Sequence, residues 1–273
     1  MTNRVKTKLI VSLLITTLLI TFTPSILNTV GAITNGQPDG NAHPYVCLVV
    51  VDIEGSPAYR GTGVLIAPRI VLTAGHLTDG ADGARVWFDD DLTSNPEYPW
   101  SGSTSIEGIP YTHPGYYSSS DQGLAGLNWQ DVGIIVLDED VTDKGFGIVP
   151  GLGFVDGLGK KTVVDQIGYG VQELVHGGGP PYWIGELVRY SAPAEIIPSK
   201  DILTDDFIKT TANPGKDKGG TSFGDSGGPV LLEGTDIIVG LTSWGRNYNC
   251  AGISYAARVD TEIVQDWIND FLD

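Results

Sequence analysis

Thr221-Ser222-Phe223-Gly224-Asp225-Ser226-Gly227-Gly228-Pro229 is the stretch on which the reading of this chain turns. A serine set between glycines on a tight turn presents its hydroxyl and leaves its own backbone N–H unengaged. Glycines supply the φ angles such a turn needs, and their missing side chains let a substrate carbonyl approach closely. The N–H groups of Gly224 and Ser226 then point at one spot, where they can stabilise an oxyanion. A serine hydroxyl is a weak nucleophile until a base takes its proton. The stretch therefore demands a histidine, and a third group to orient it, from elsewhere in the chain.

These residues resemble the nucleophile motif of the trypsin/chymotrypsin family of serine peptidases, and other segments extend the likeness. His43, His76, His113 and His176 are the candidates for the base, and composition does not choose among them. Context does. Ile70-Val71-Leu72-Thr73-Ala74-Gly75-His76 reads as a strand ending at a histidine and is similar to the family's base motif. Gly75 stands where Ala is commoner, a change expected to loosen the turn. His113 lies in His113-Pro114-Gly115-Tyr116, a loop the family also shows ahead of its acid, without a catalytic role. His43 and His176 sit among Pro or Gly and are expected in loops. Asp131 heads the apolar run Asp131-Val132-Gly133-Ile134-Ile135-Val136-Leu137. A carboxylate entering such a strand is partly buried and needs a partner. The likeness makes His76 that partner and supplies the roles: Ser226 as nucleophile, His76 as base, Asp131 as orienting acid. Asp138 and Asp140, at the other strand end, are the rivals. The order His, Asp, Ser is that of chymotrypsin-type enzymes, not of subtilisin or the α/β-hydrolases.

The same likeness implies a substrate site. Ser243-Trp244-Gly245 looks like the strand edge on which these peptidases pair an extended substrate, with Gly245 leaving the pocket mouth open. Counting back from Ser226 puts Gly220 at the pocket base, where trypsin-like members carry an aspartate, and Thr221 beside it. No carboxylate then awaits an Arg or Lys, so cleavage after apolar or aromatic residues is implied. Gly168-Tyr169-Gly170 matches a further signature, with Tyr replacing Trp. Ile33-Thr34-Asn35-Gly36 is similar, with two substitutions, to the family's activating N-terminus. Its ammonium pairs with the aspartate before the nucleophile, here Asp225. Three departures stand out. Gly61 and Leu77 occupy the places of the cystine that braces the base, and Ser222 replaces a cysteine. Arg246–Ala257 aligns poorly, and Ser254 could line the pocket's far wall.

The bulk of the 273-residue chain bounds its class. Arg4, Lys6 and Lys8 precede the apolar run Leu9–Ile20, and Val30-Gly31-Ala32 offers small residues before a cut. This is the layout of a secretory signal peptide over residues 1–32, and implies a secreted protein with no membrane contact after cleavage. The formal net charge is −17, and losing that basic leader makes it more negative. Such a surface repels phosphates and anionic lipid, so nucleic acid is excluded as a partner. Protein or peptide substrates remain, with a monomer expected. Two cysteines, Cys47 and Cys250, are too few for a disulfide framework, though export would permit a bond between them. Asp89-Asp90-Asp91 with Asn95 and Glu97 offers hard oxygen donors for Ca²⁺, but the spacing fits no EF-hand, and a solvated acidic turn is the expectation. No metal and no cofactor are expected, and a zinc hydrolase lacks its His-Glu-x-x-His.

Strand signals fill the remainder. Tyr45–Asp52, Gly61–Ile66, Arg69–Thr73, Ala84–Phe88, Ser103–Ile109, Asp131–Leu137 and Thr162–Tyr169 read as short strands, followed by Gly185–Arg189, Phe207–Thr211, Pro229–Leu232, Ile237–Ser243 and Ile253–Val259. Many short strands between turn signals argue an all-β sandwich or barrel. The likeness sharpens this to two six-stranded antiparallel barrels, 33–145 carrying His76 and Asp131, and 146–260 carrying Ser226. The Gly-rich run Lys144–Lys161 would connect them. From Thr261, Ile263, Val264, Trp267, Ile268 and Phe271 share one face of a helix over 261–273, capped by Asp260 or Thr261. Family members close with such a helix, packed on the second barrel. The function implied is a secreted serine endopeptidase acting through an acyl-enzyme. The alternative is a non-catalytic binding module on the same fold.

Overall fold

A computed structural model describes residues 33–34, 36–118, 128–176, 179–197, 205–212, 218–245, 250 and 252–272. The expected leader at 1–32, Asn35 and residues 246–249 and 251 lie outside the described residues. The strands are β1 (Gln37–Pro38), β2 (Val46–Ile53), β3 (Ser56–Ala67), β4 (Ile70–Thr73), β5 (Gly83–Trp87), β6 (Ile106–Thr112), β7 (Tyr117–Ser118), β8 (Asn128–Trp129) and β9 (Gly133–Leu137). They continue as β10 (Val163–Gly168), β11 (Glu173–Val175), β12 (Tyr182–Ile184), β13 (Tyr190–Glu195), β14 (Phe207–Ala212), β15 (Pro229–Leu232), β16 (Ile238–Gly245) and β17 (Gly252–Ala257). One helical turn, α1 (Gly75–Thr78), follows β4, and α2 (Glu262–Asn269) closes the chain.

The first barrel closes in the order β2-β3-β4-β9-β6-β5. Its strands are Val-, Ile- and Leu-rich because the inward faces meet in a shared core: Val49, Val64, Leu72, Ile134 and Trp87 have no exposed surface. Glu54 and Gly55 both take left-handed φ, 54° and 71°, which gives the β2–β3 hairpin the turn that matches strand twist. The register matters most between β4 and β9, where Thr73 faces Gly133. His76, just past the end of β4, and Asp131, just before β9, are thereby brought to the same end of the barrel.

The second sheet runs β1-β13-β10-β15-β16-β17-β14. Its last six strands curl until β13 and β14 nearly meet, joined by a bridge between Ile196 and Thr210 and by Ile197 N–H on the Lys209 carbonyl at 2.8 Å. Two six-stranded antiparallel barrels result, as the sequence implied. The second is closed by that bridge, while the first carries a full ladder between each neighbouring pair. Lys144–Lys161 lies between β9 and β10.

Several expectations are corrected. Gly185–Arg189 forms no strand; only Val188 bridges, to Asp91, and the strand begins at Tyr190. Ser191, Ala192 and Pro193 in β13 are weak strand formers, so tertiary pairing overrides their propensity. Ile263 is 51% exposed, at the edge of the helix's apolar stripe, while Val264 and Ile268 are buried. Trp267 of α2, and Phe271 just beyond it, also make aromatic contacts to the first barrel. Trp267 meets His113 edge-on at 5.0 Å, and the ring centroids of Phe271 and Tyr111 lie 5.1 Å apart.

Buried Arg189 ties the two barrels together. Its guanidinium donates to Asp39 at 2.9 Å, to the carbonyls of Val46 and Phe88 at 2.9 and 3.2 Å, and to the Tyr169 hydroxyl at 3.1 Å. No described helix is long and apolar enough to cross a membrane. Cys47 is buried and Cys250 partly so, and no disulfide joins them. Asp91 and Asn95 spend side-chain oxygens on the N–H groups of Thr93 and Glu97, and among the described residues no three metal-ligating side chains cluster.

Candidate active site

His76 sits in the single turn α1, which begins where β4 leaves the barrel. Its Nδ1 lies 2.8 Å from Asp131 Oδ2, and its backbone N–H donates to Asp131 Oδ1 at 2.7 Å. Both carboxylate oxygens are thus used to fix one residue. The Asp131 side chain has no exposed surface, whereas that of His76 keeps 24%. Burial alone would raise the Asp131 pKa, but the His76 charge and the hydrogen bonds from His76 and Ser243 outweigh it and hold it below the usual value. Burial alone would lower the His76 pKa. The Asp131 charge and hydrogen bond reverse that, so the imidazole is held above its usual value. Asp138 and Asp140 are exposed beyond the far end of β9 and are not brought to His76.

Ser226 stands on the turn leading into β15. Gly224 and Gly227 take φ of 101° and 80°, the left-handed region that only glycine enters without strain. A Cβ at Gly227 would also lie 2.2 Å from Thr73 Oγ1, so no side chain fits. The turn's N–H groups divide sharply. Asp225 N–H goes to the Ser222 carbonyl, Gly227 N–H to Thr242 and Gly228 N–H to Asp225, at 3.1, 2.7 and 2.8 Å. The N–H groups of Gly224 and Ser226 have no acceptor among the described residues. The two left over are the pair the sequence assigned to an oxyanion.

Thr62 of β3 braces this turn, a role sequence reading missed. Its N–H donates to the Ser226 carbonyl at 2.8 Å and its hydroxyl to the Gly224 carbonyl at 2.9 Å. The hydroxyl of Ser243, expected only as part of the substrate edge, donates to Asp131 Oδ2. Thr62 carries no local motif, and nothing in Ser243-Trp244-Gly245 signals a contact with Asp131. The departures also gain a physical account. A Cβ at Gly61 would fall 2.1 Å from Leu77 Cδ1, so a leucine fills the volume where a cystine was expected. At Gly75 a Cβ would meet Tyr116 at 3.0 Å and the Val132 backbone at 3.1 Å, so glycine lets α1 pack tightly and does not loosen it.

A cavity of about 460 Å³ opens beside Ser226, lined by His76, Thr221, Ser222, Phe223, Thr242, Ser243, Trp244, Gly245 and Cys250. None of these side chains is a carboxylate. Trp244 stacks on Tyr255 at 3.8 Å, and open space surrounds the position of a Gly245 side chain. Thr221 Oγ1 donates to Ser254 at 2.9 Å, which fixes the inner wall. Gly220, expected at the pocket base, is held by Thr34, whose N–H donates to its carbonyl at 2.9 Å and whose carbonyl accepts its N–H at 3.2 Å.

Behind the nucleophile, Asp225 is wholly buried. It accepts from Gly170 N–H at 2.8 Å and from Ser222 N–H and Oγ at 2.7 and 2.9 Å. Burial pushes its pKa up to about 6 despite those bonds and the nearby Arg60 charge. Ile33 is also fully buried, with Cγ2 3.2 Å from the place a Gly219 Cβ would take.

The trypsin family profile matches residues 33–268, nearly all of the described chain. The chain belongs to the trypsin family. Serine protease 1 of Drosophila melanogaster is 28% identical over 251 residues, covering 88% of this chain and 85% of its own length. Brachyurin of Leptuca pugilator is likewise 28% identical over 240 residues, covering 84% and 92%. Among solved structures, HL collagenase superposes with a TM-score of 0.68 at 19% identity, covering 88% of this chain and 98% of its own. Human heparin binding protein does so with 0.63 at 19%, covering 88% and 96%. At that identity the structural likenesses speak for the fold alone. Trypsin-family proteases act on proteins, which sets the substrate class to consider.

Proposed function

We propose that this protein is a secreted, monomeric serine endopeptidase that cleaves after apolar or aromatic residues. The reading rests above all on the 2.8 Å contact between His76 Nδ1 and Asp131, in the wall of the cleft that Ser226 lines. His76 Nε2 takes the Ser226 proton as Oγ attacks the scissile carbonyl. The N–H groups of Gly224 and Ser226 hold the oxyanion, in the manner of a chymotrypsin-type triad. Asp131 keeps Nδ1 protonated and stabilises the imidazolium. That proton passes to the departing amine, leaving an acyl-enzyme ester, and water repeats the steps in reverse. A binding module on this fold gains no support from a site in which all three triad residues are present.

Ser226→Ala is expected to abolish peptide hydrolysis and labelling by a fluorophosphonate, with the fold intact by circular dichroism. Labelling that persists would place the nucleophile elsewhere. His76→Ala should cost about as much, because triad members act as a unit. For specificity, an Arg or Lys side chain entering a pocket without a carboxylate loses water and gains no partner. A peptide library that shows a strong basic preference before the cut overturns this part.

Activation follows from the same residues. Removing a leader after Ala32 would leave Ile33 as a free N-terminus whose ammonium answers the buried Asp225. In the continuous chain Ile33 takes a φ of 37°, an outlier for a β-branched residue. Such strain costs about 1–3 kcal/mol, and it disappears when the preceding peptide bond is cut. Protein beginning at Ile33 should then be active and protein beginning Ala-Ile33 should not. Equal activity in the two, with N-termini verified by sequencing, removes the pair from the mechanism.

A further inference from the structure

Arg60 is the arginine the fold leaves without a hydrogen bond, although its charge is felt by buried Asp225. The other four described arginines donate to carboxylates or carbonyls: Arg69 to Leu137, Arg85 to Asp52, Arg189 to Asp39, Arg258 to Asp156 and Asp260. Arg60, partly buried at the inner end of the β3 edge, makes no hydrogen bond or ion pair among the described residues. This is notable in a chain where 33 acidic residues face 16 basic ones. Its Nε lies 3.4 Å from the place a Cβ on Gly224 would take, directly beside the turn that offers the free N–H groups. Thr62, two residues on, donates its N–H to the Ser226 carbonyl at 2.8 Å, so β3 flanks the nucleophile turn. The cavity for the side chain before the cut is lined by residues of that turn and β16 together with His76 and Cys250, and excludes Arg60. Arg60 therefore lies beside the nucleophile turn but outside that cavity, which leaves it to the chain beyond the scissile bond. There it lines a second, shallower cavity of about 220 Å³ with Pro57, Tyr59, Tyr98 and Pro99.

Resting on the peptidase reading, we infer that Arg60 is a specificity residue that selects an acidic side chain on the leaving-group side of the cleaved bond. An unpaired guanidinium at the rim of a low-dielectric cleft attracts a carboxylate and repels a cation. The surrounding acidic surface disfavours anions in general, so the preference is confined to the substrate positions that reach Arg60. The attraction acts at partial exposure and weakens with salt.

The test uses a set of peptides with one fixed sequence before the cut and Glu, Gln or Lys in each of the first three positions after it. For the native enzyme, kcat/KM is expected to favour Glu over Gln by about fivefold at one of these positions, and less at 0.5 M salt. In Arg60→Gln that ratio falls to about one. In Arg60→Glu it inverts in favour of Lys. Loss of rate by the same factor on every substrate, including a p-nitroanilide with no residue after the cut, would mean that Arg60 only supports Asp225, and the inference fails. A native enzyme that hydrolyses the set without an acidic preference overturns it too, while leaving the peptidase reading untouched. Absence of any hydrolysis sinks the peptidase reading first and this one with it.

Discussion

Asp131 and Asp225 are both wholly buried, one bonded to His76 and the other next to Ser226 in the chain, and their pKa values shift in opposite directions. Burial pushes each carboxylate up. Asp131 has an imidazole at 2.8 Å that can carry a positive charge, and its pKa comes down. Asp225 has three good donors, all neutral, at 2.7 to 2.9 Å, and its pKa rises to about 6. Three hydrogen bonds do not do the work of one cation in direct contact. One carboxylate is finished as the chain folds, and the other waits for a charge.

The largest effect should come from cancelling the charge that Asp131 gives to His76. Asp131→Asn is expected to lower kcat by about 10⁴-fold, the size associated with this change in a chymotrypsin-type triad. The more diagnostic readout is pH. An imidazole held above its usual value is protonated, and useless as a base, until pH rises through that raised value. The acid limb of kcat/KM in the native enzyme should therefore lie above the ordinary histidine value of about 6.5. In Asp131→Asn the residual activity should show that limb at lower pH. A limb that stays in place would mean the Asp131 charge does not set the His76 pKa.

A third buried carboxylate can be moved from one class to the other. Asp39 is held below its usual value: burial raises it, but His43 at 2.7 Å and the Arg189 guanidinium at 2.9 Å prevail. Arg189→Met removes the permanent cation, making Asp39 resemble Asp225. Breaking one side of a buried pair costs about 3–5 kcal/mol. Denaturant unfolding at pH 7.5 should show that loss, and it should shrink as pH falls and the Asp39 carboxylate left without its guanidinium takes up a proton. A deficit independent of pH would assign the cost to packing.

How much of this was legible beforehand follows from where the signals sit. The strand ending at His76, the apolar run after Asp131 and the glycine turn around Ser226 are contiguous, so pattern reading reached them and the two-barrel fold together. What pairs across the fold stayed hidden. Thr62 grips the nucleophile turn from 164 residues away, Arg189 joins barrels from the end of an expected strand, and β13 pairs despite Pro193. Gly75 was read as loosening a turn, but only the close approach of Tyr116 and Val132 reveals its purpose.

Asp225 makes its own pH prediction, with the sign opposite to that of a paired aspartate. A carboxyl whose folded pKa is raised from 3.8 to about 6 binds more protons folded than unfolded between those values. Stability of the form that retains residues before Ile33 should therefore fall as pH rises from 4 to 6, by roughly 3 kcal/mol for this group. The form beginning at Ile33 should show a shallower fall, because its ammonium compensates the charge. Parallel curves for the two forms would mean that the Ile33 ammonium does not reach Asp225.

The smallest effect isolates the hydroxyl that stands where a cysteine was expected. Ser222 Oγ reaches both Asp225 Oδ2 at 2.9 Å and the Val171 carbonyl at 2.5 Å, although it has a single proton to give. Its hydrogen bond favours the ionised carboxyl, and so lowers a pKa that burial has raised. Ser222→Ala removes that help while Ser222's backbone N–H bond to Asp225 remains available. The loss should be about 1–1.5 kcal/mol where Asp225 is ionised, near pH 7.5, and smaller near pH 5, where the folded carboxyl is protonated. In the form retaining residues before Ile33, the variant should also move the midpoint of the pH–stability curve upward from about 6. Unfolding measured at the two pH values decides the matter: an equal deficit at both would tie Ser222 to Val171 alone, and the neutral donors around Asp225 would then be its two backbone N–H groups.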